Sequence, residues 1–242
     1  MTDRAYPILM YHQIDVPPPS GTPLRGLIVS PGAFSRQMRF LRALGYRGLS
    51  MTNLQPYLRG ERDGKVVGIT FDDGYLNNHT HALPILHSLG FSATCYAVSA
   101  LPGGHNDWDA NIGVARKPLM DTSQWREWLA AGMDIGAHTR HHADLTVLNE
   151  ADATAEIVGA RNELEDRFAT SIAHFCYPYG RYTSRERELV SAAGYTTATT
   201  THRSRARPTD DPLLLPRVMV AQATQPWQFW LKVATGYEDR RR

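Results

Sequence analysis

Short apolar runs rich in β-branched residues alternate along this chain with longer stretches in which apolar side chains recur every three or four positions. The clearest run is Val66–Phe71, and further extended pieces are read at 7–11, 47–50, 93–98, 133–137, 173–177, 195–199 and 213–220. Between them, helical spacing predicts helices at 31–44 (Phe34, Met38, Leu41 on one face), 53–58, 76–89 (Leu83, Leu86, Leu89) and 122–131 (Trp125, Trp128, Leu129). Three more follow at 149–168 (Ile157, Leu164, Phe168), 184–193 and 227–234. Ser30-Pro31 and Asn149 supply the N-terminal signals of two of them, and Gly45, Gly90 and Gly194 the stops. The segments 15–26, with Pro17-Pro18-Pro19, and 101–117, with Trp108 in its middle, fit neither period and are read as loops; one as long as the second is often functional. Strand and helix alternating in this way predict parallel β/α units, about seven of them, close to the number that closes a β/α barrel. No repeat or low-complexity linker divides the chain, so 1–242 is expected to be a single domain.

Composition adds little to this and removes some alternatives. The 242 residues are 42% hydrophobic and 21% charged, enough to bury a real core. The net charge of +2 offers no field for nucleic acid or an anionic membrane, and the basic run Arg240-Arg241-Arg242 is most simply a solvated end. Two cysteines, Cys95 and Cys176, both in apolar runs, are expected as buried free thiols. No run is long enough to span a bilayer, and residues 1–6 lack the pattern of a leader, so the expected location is the cytoplasm.

The chemistry lies at the ends of the predicted strands. In a β/α barrel the C-terminal strand ends form the active-site mouth. Four of them carry His12, Asp72-Asp73, His138 and Tyr177-Pro178-Tyr179-Gly180. Asp72-Asp73-Gly74 on its own is as easily a turn. At a strand end followed by glycine, however, two adjacent carboxylates reach one cleft in different directions, one suited to hold a metal and the other to act as a base. His138-Thr139-Arg140-His141-His142 adds three imidazoles, and the spacing of His138 and His142 matches one turn of helix, with both on one side. Two His and one Asp form a set that suits zinc, and also cobalt, nickel or iron. Three protein ligands leave positions open for water and substrate, as catalytic sites do.

The run Thr70-Phe71-Asp72-Asp73-Gly74-Tyr75, then His138-Thr-x-x-His142, then Tyr177-Pro178-Tyr179-Gly180, resembles the polysaccharide deacetylase family, the NodB-homology group of carbohydrate esterases. Met10-Tyr11-His12-Gln13-Ile14 and Leu215-Pro216-Arg217 are similar to its branch containing the poly-N-acetylglucosamine deacetylases. The resemblance implies a distorted (β/α)7 barrel that removes N- or O-acetyl groups from an amino-sugar glycan or glycolipid with one divalent ion, zinc foremost. It implies Asp72 as general base, Asp73, His138 and His142 as metal ligands, His141 as a mere neighbour, and the Tyr179 amide as an oxyanion donor.

Two departures from the family pattern shape the expectations. Cys176 stands where an arginine usually orients the base, and Arg217 is expected to reach the base instead. The chain after Trp230 has no histidine, so His12, at the opposite end, is expected to supply the acid. Tyr75, Trp108, Pro178 and Tyr182 are candidate substrate contacts, Trp125 and Trp128 are expected in the core, and Asp144 is expected to anchor a loop. Asn106-Asp107-Trp108-Asp109 comes too early to be the family's acid-tuning motif. Three rivals use the same residues: a hydrolase of small cyclic amides or ureides, a sugar-binding protein with a decayed site, and a glycosidase. The last fits poorly, because it leaves no place for a metal between its carboxylates.

Overall fold

The computed structural model describes residues 4–241. Residues 1–3, which begin the stretch read for a leader, and Arg242, which ends the basic run, lie outside the described residues.

Ten strands and seven α-helices follow one another: β1 Ile8–Tyr11, β2 Gln13–Ile14, β3 Ile28–Val29, α1 Pro31–Ala43, β4 Arg47–Leu49, α2 Met51–Leu58, β5 Val66–Phe71, α3 Leu83–Ser88, β6 Thr94–Ala97, α4 Thr122–Ala130, β7 Asp134–Ala137, α5 Glu150–Phe168, β8 His174–Cys176, α6 Ser184–Ala192, β9 Thr197–Arg203, β10 Leu215–Met219 and α7 Pro226–Ala234. Seven of the strands close a parallel ring in the order β1-β5-β6-β7-β8-β9-β10, with β10 returning to β1. This is the distorted (β/α)7 barrel that the alternation predicts. Short buried runs such as Val66–Phe71 are what strands covered on both faces require.

Strand β4 is the distortion. It pairs with residues 66–68 of β5, along the stretch that precedes the β5–β6 pairing at Thr70 and Phe71, and so it stands outside the ring. Pairing of β1 with β5 (Tyr11↔Phe71) puts His12 and Asp72 at adjacent strand ends although sixty residues of chain separate them. On the outer side of these two strands Tyr11, Phe34, Phe71 and Trp128 pack edge to face and stacked, with centroids 5.2–6.0 Å apart. Trp125 and Trp128 are in the core as expected, and Cys95 and Cys176 are buried free thiols. At the far end of the barrel His174 is buried between the hydroxyls of Thr52 (3.0 Å) and Thr197 (2.8 Å), a structural histidine remote from the mouth.

One local reading is corrected. The segment 76–89 is not one α-helix: Asn78–Ala82 forms a π-helical turn, and the α-helix begins only at Leu83. Pro84, in the first turn of α3, has no N–H to give to a preceding α-turn, and the wider turn accommodates it. The segment 15–26 is flanked by β2 and β3, which pair as a small parallel sheet beside His12. None of the described helices is long and apolar enough to cross a membrane.

Candidate active site

The mouth of the barrel gathers residues from nearly every strand end. After β5, Asp73 adopts a left-handed backbone (φ 73°), and Gly74 follows at φ 74°, so both neighbouring carboxylates turn toward one cleft. A Cβ on Gly74 would come within 2.8 Å of the Trp125 ring, so this sharp turn sits directly on the core. The His138–His142 segment is a turn and not a helical one. Thr139 (φ 62°) and His142 (φ 58°) are left-handed, and that double reversal, not an i,i+4 helix face, brings the two rings to a centroid separation of 4.8 Å. Tyr179 is left-handed as well (φ 58°). Five of the six non-glycine residues with positive φ (Leu24, Asp73, Thr139, His142, Tyr179) are in or against this cleft. Such strain persists only where surrounding structure enforces it, and it concentrates at functional sites.

The Nε2 atoms of His138 and His142 lie 3.4 and 3.3 Å from Asp73 Oδ1, which has no hydrogen-bond partner among the described residues. Ligands held about 2.0–2.1 Å from a tetrahedral ion stand about 3.3–3.4 Å from one another, and both Asp73-to-imidazole distances have that spacing, with all three atoms within 4.8 Å of one another. The outer bond orients the ring: His138 Nδ1–H donates to the Cys176 carbonyl at 2.7 Å, which leaves Nε2 facing Asp73. Burial opposes protonation of both imidazoles: at His142 it prevails and lowers the pKa, whereas at His138 the neighbouring Cys176 and Asp73 more than reverse it. Burial opposes ionisation of Asp73, but the two imidazoles outweigh it and keep the carboxyl well below the usual range. His141 points away, to Glu156 at 2.6 Å. The residues present therefore fit a divalent ion.

A second cluster, Asp72, His138 and Cys176, also has ligand-like spacing, but a cation already occupies it. Arg217, fully buried inside the barrel, forms a fork to Asp72: Nη1 to Oδ1 at 2.6 Å and Nη2 to Oδ2 at 2.8 Å. Its other donors go to the Thr200 carbonyl (2.9 Å), the Thr70 hydroxyl (3.2 Å) and Cys176 Sγ (3.3 Å). Every N–H of the guanidinium thus has an acceptor. Cys176 leaves room for this side chain and accepts from it, which accounts for a small residue in the motif's arginine slot. Burial raises the Asp72 pKa, and Arg217 more than reverses that, so the carboxylate stays ionised. His12 Nε2 stands 3.7 Å from Asp72 Oδ2, across the mouth from the imidazole pair.

The remaining predicted residues divide. Trp108 stacks on His142 (4.5 Å, 19°), and Tyr179 meets the same ring edge-on at 4.7 Å; both line the cleft. Tyr75 is buried and lines only a side lobe beside Asp73, not the broad cleft. Pro178 is buried, and Tyr182 packs on Tyr177 (5.2 Å) and His202 (5.9 Å); neither lines the cleft. Asp144 anchors its loop as expected, accepting from Thr146 and from Arg181 at 2.5 Å, and it ties the His turn to the Tyr-Gly turn. The sequence reading missed Asp109, Thr201 and Arg203, all in the cleft wall. Asp109 directly follows Trp108 in the polar excursion, and that position was the one available signal.

Comparisons with known proteins bear on the family and the fold. A sequence profile described as polysaccharide deacetylase matches residues 59–198. YxkH of Bacillus subtilis (strain 168), provisionally assigned as a polysaccharide deacetylase, is 28% identical over 217 residues, which cover 89% of this chain and 71% of that protein. The Streptococcus pyogenes deacetylase PplD, solved in complex with acetate, superimposes with a TM-score of 0.83 at 26% identity over 96% of this chain and 99% of that one. IcaB from Ammonifex degensii shares the fold (TM-score 0.76, 24% identity, 93% and 94% covered).

Proposed function

The chain belongs to the polysaccharide deacetylase family, and from that premise we propose that it is a metal-dependent hydrolase that cleaves the acetamido bond of an amino sugar within a glycan or glycolipid. The observation that carries the reading is the meeting of Asp73 Oδ1, His138 Nε2 and His142 Nε2 at 3.3–3.4 Å, beside an Asp72 carboxylate clamped by Arg217. A decayed sugar-binding site would have no need of that clamp.

When bound, a divalent ion held by Asp73, His138 and His142, zinc foremost, supplies Lewis acidity to the acetyl carbonyl and acidity to water. Asp72 accepts a proton from the attacking water. Arg217 fixes the orientation of that carboxylate and keeps it ionised until the proton arrives. The Tyr179 backbone N–H donates to the developing oxyanion. His12, on the Asp72 side of the mouth, gives its proton to the leaving amine. Trp108 braces His142 by stacking and offers its free edge to the sugar ring.

The test is acetate release by the purified protein from N-acetylglucosamine oligomers, with and without a chelator, beside ring opening of allantoin. Acetate release that stops with chelator and returns with zinc supports the reading. Ring opening without acetate release overturns it in favour of the cyclic-amide rival.

The Tyr179 amide depends on its neighbour. Gly180 is left-handed (φ 68°), and a Cβ there would strike the Thr201 side chain. Gly180→Ala is expected to cost about 1–3 kcal/mol of stability. By shifting the amide it is also expected to lower turnover about 10²-fold. Thermal unfolding and single-turnover kinetics measure the two effects separately.

A further inference from the structure

The cleft has two lobes that share His12, Leu24, Leu27, Asp73 and Asp109. The broader, of about 380 Å³, is walled by Trp108, Tyr177, Tyr179 and Arg203. The narrower, of about 130 Å³, runs back between the segments 15–28 and 109–117, and its walls are mostly apolar (Pro18, Pro23, Leu24, Leu27, Ile28 and Val114), with Gln13, Asp109 and Lys117 among them. Its walls are fixed. Arg25 Nε donates to the Pro18 carbonyl (2.8 Å) and its Nη1 to Gln222 Oε1 (2.7 Å). Lys117 pairs with Asp15 at 2.8 Å, joining the two segments, and β2 pairs with β3 at the base. Four prolines within residues 15–27 limit its freedom further.

We infer that the narrow lobe is an acyl pocket and that the enzyme removes N-acyl groups longer than acetyl, up to about butyryl. The inference rests on the deacetylase reading of the same site. A carbonyl held at Asp73 and His12 has two substituents one bond away. A sugar ring needs the broad lobe, the roomier of the two, which has Trp108, Tyr177 and Tyr179 in its wall. The acyl carbons are left to the narrower lobe, which opens beside the same Asp73 and His12 and presents the apolar side chains of Pro23, Leu24, Leu27 and Val114. A methyl group occupies roughly the room of one water, about 30 Å³. An apolar cavity of about 150 Å³ is known to hold benzene, so a lobe of this size takes three or four carbons. Each methylene buried there strengthens binding about fourfold. The reaction is hydrolysis throughout: water oxygen bonds to the carbonyl carbon, the C–N bond breaks, the carboxylate leaves, and the amine takes the proton.

The test uses the full chain with its divalent ion and glucosamine oligomers carrying N-acetyl, N-propionyl or N-butyryl groups, with amine release as the signal. N-butyryl is expected to give kcat/KM equal to or above that of N-acetyl. In calorimetry butyrate is expected to bind about tenfold more tightly than acetate. Val114→Phe, which narrows the lobe, is expected to lower the butyryl-to-acetyl ratio of kcat/KM at least tenfold. Cleavage of N-acetyl with N-butyryl a hundredfold slower overturns the inference and leaves the deacetylase reading intact. So does a folded Val114→Phe protein with an unchanged ratio, or butyrate binding no tighter than acetate. Failure to cleave any of the three amides overturns the deacetylase reading and this inference with it.

Discussion

Asp72→Asn is expected to lower kcat about 10²–10⁴-fold while the protein keeps its divalent ion, whereas Asp73→Asn is expected to lose both the ion and the activity. The two residues are adjacent in sequence and both buried, yet they face different partners. Asp72 gives both oxygens to Arg217, at 2.6 and 2.8 Å, and lies beside His12. Asp73 points its Oδ1 at two imidazole nitrogens and has no other partner for it among the described residues. An amide in place of Asp72 keeps the shape but has no basic oxygen, so the loss falls on proton transfer. An amide in place of Asp73 removes the single anionic ligand of the set. Metal content of the purified variants, measured beside acetate release, separates the two. Equal metal loss in both variants, or full turnover of Asp72→Asn, contradicts the division of labour.

That division was half legible in the sequence. An apolar β-branched run ending in Asp-Asp-Gly fixes a strand end, and the parallel β/α alternation puts all such ends on one rim, so the barrel and its mouth follow from local patterns. The two histidines and the aspartate pair follow because they lie past strand ends, whereas the choice of Asp73 over Asp72 as the ligand is what the family resemblance implies. The manner of convergence was not legible. Left-handed backbone at Asp73, Thr139, His142 and Tyr179 is imposed by tertiary packing, and no propensity announces it. Helical spacing therefore gave the right neighbours at His138 and His142 for the wrong reason. Pro178 and Tyr182 are motif-borne or aromatic and near the mouth in sequence, but Pro178 is buried and Tyr182 packs on Tyr177 and His202. Two-residue strands such as β2 and β3 are too short to carry a period, so the wall of the side lobe read as plain loop. Asp109 became a site residue only because the 101–117 excursion folds its Trp108 onto His142.

Arg217 is where the fold and the chemistry meet, and its replacement is expected to damage both. Barrel interiors are filled by layers of side chains, mostly apolar. Here one interior position holds a guanidinium, fully buried, with Asp72 as counter-ion and Thr70, Thr200 and Cys176 as further acceptors. Replacing such a pair by well-packed apolar groups is often neutral, but removing one partner strands a buried charge at a cost of about 3–5 kcal/mol. Arg217→Ala also opens a cavity and leaves Thr70 and Thr200 short of a donor. For a chain of this length that cost is a fall of about 6–20 °C in the melting temperature. Arg217→Lys keeps a charge but loses the fork, so it is expected to recover part of the stability and little of the activity. If the arginine only filled space, Arg217→Met would restore both. If it positions the base, Arg217→Met with Asp72→Asn restores stability, because no charge is left unpaired, while turnover stays at the level of Asp72→Asn alone. Thermal unfolding and kcat for these variants, compared as a double-mutant cycle, decide between the two roles.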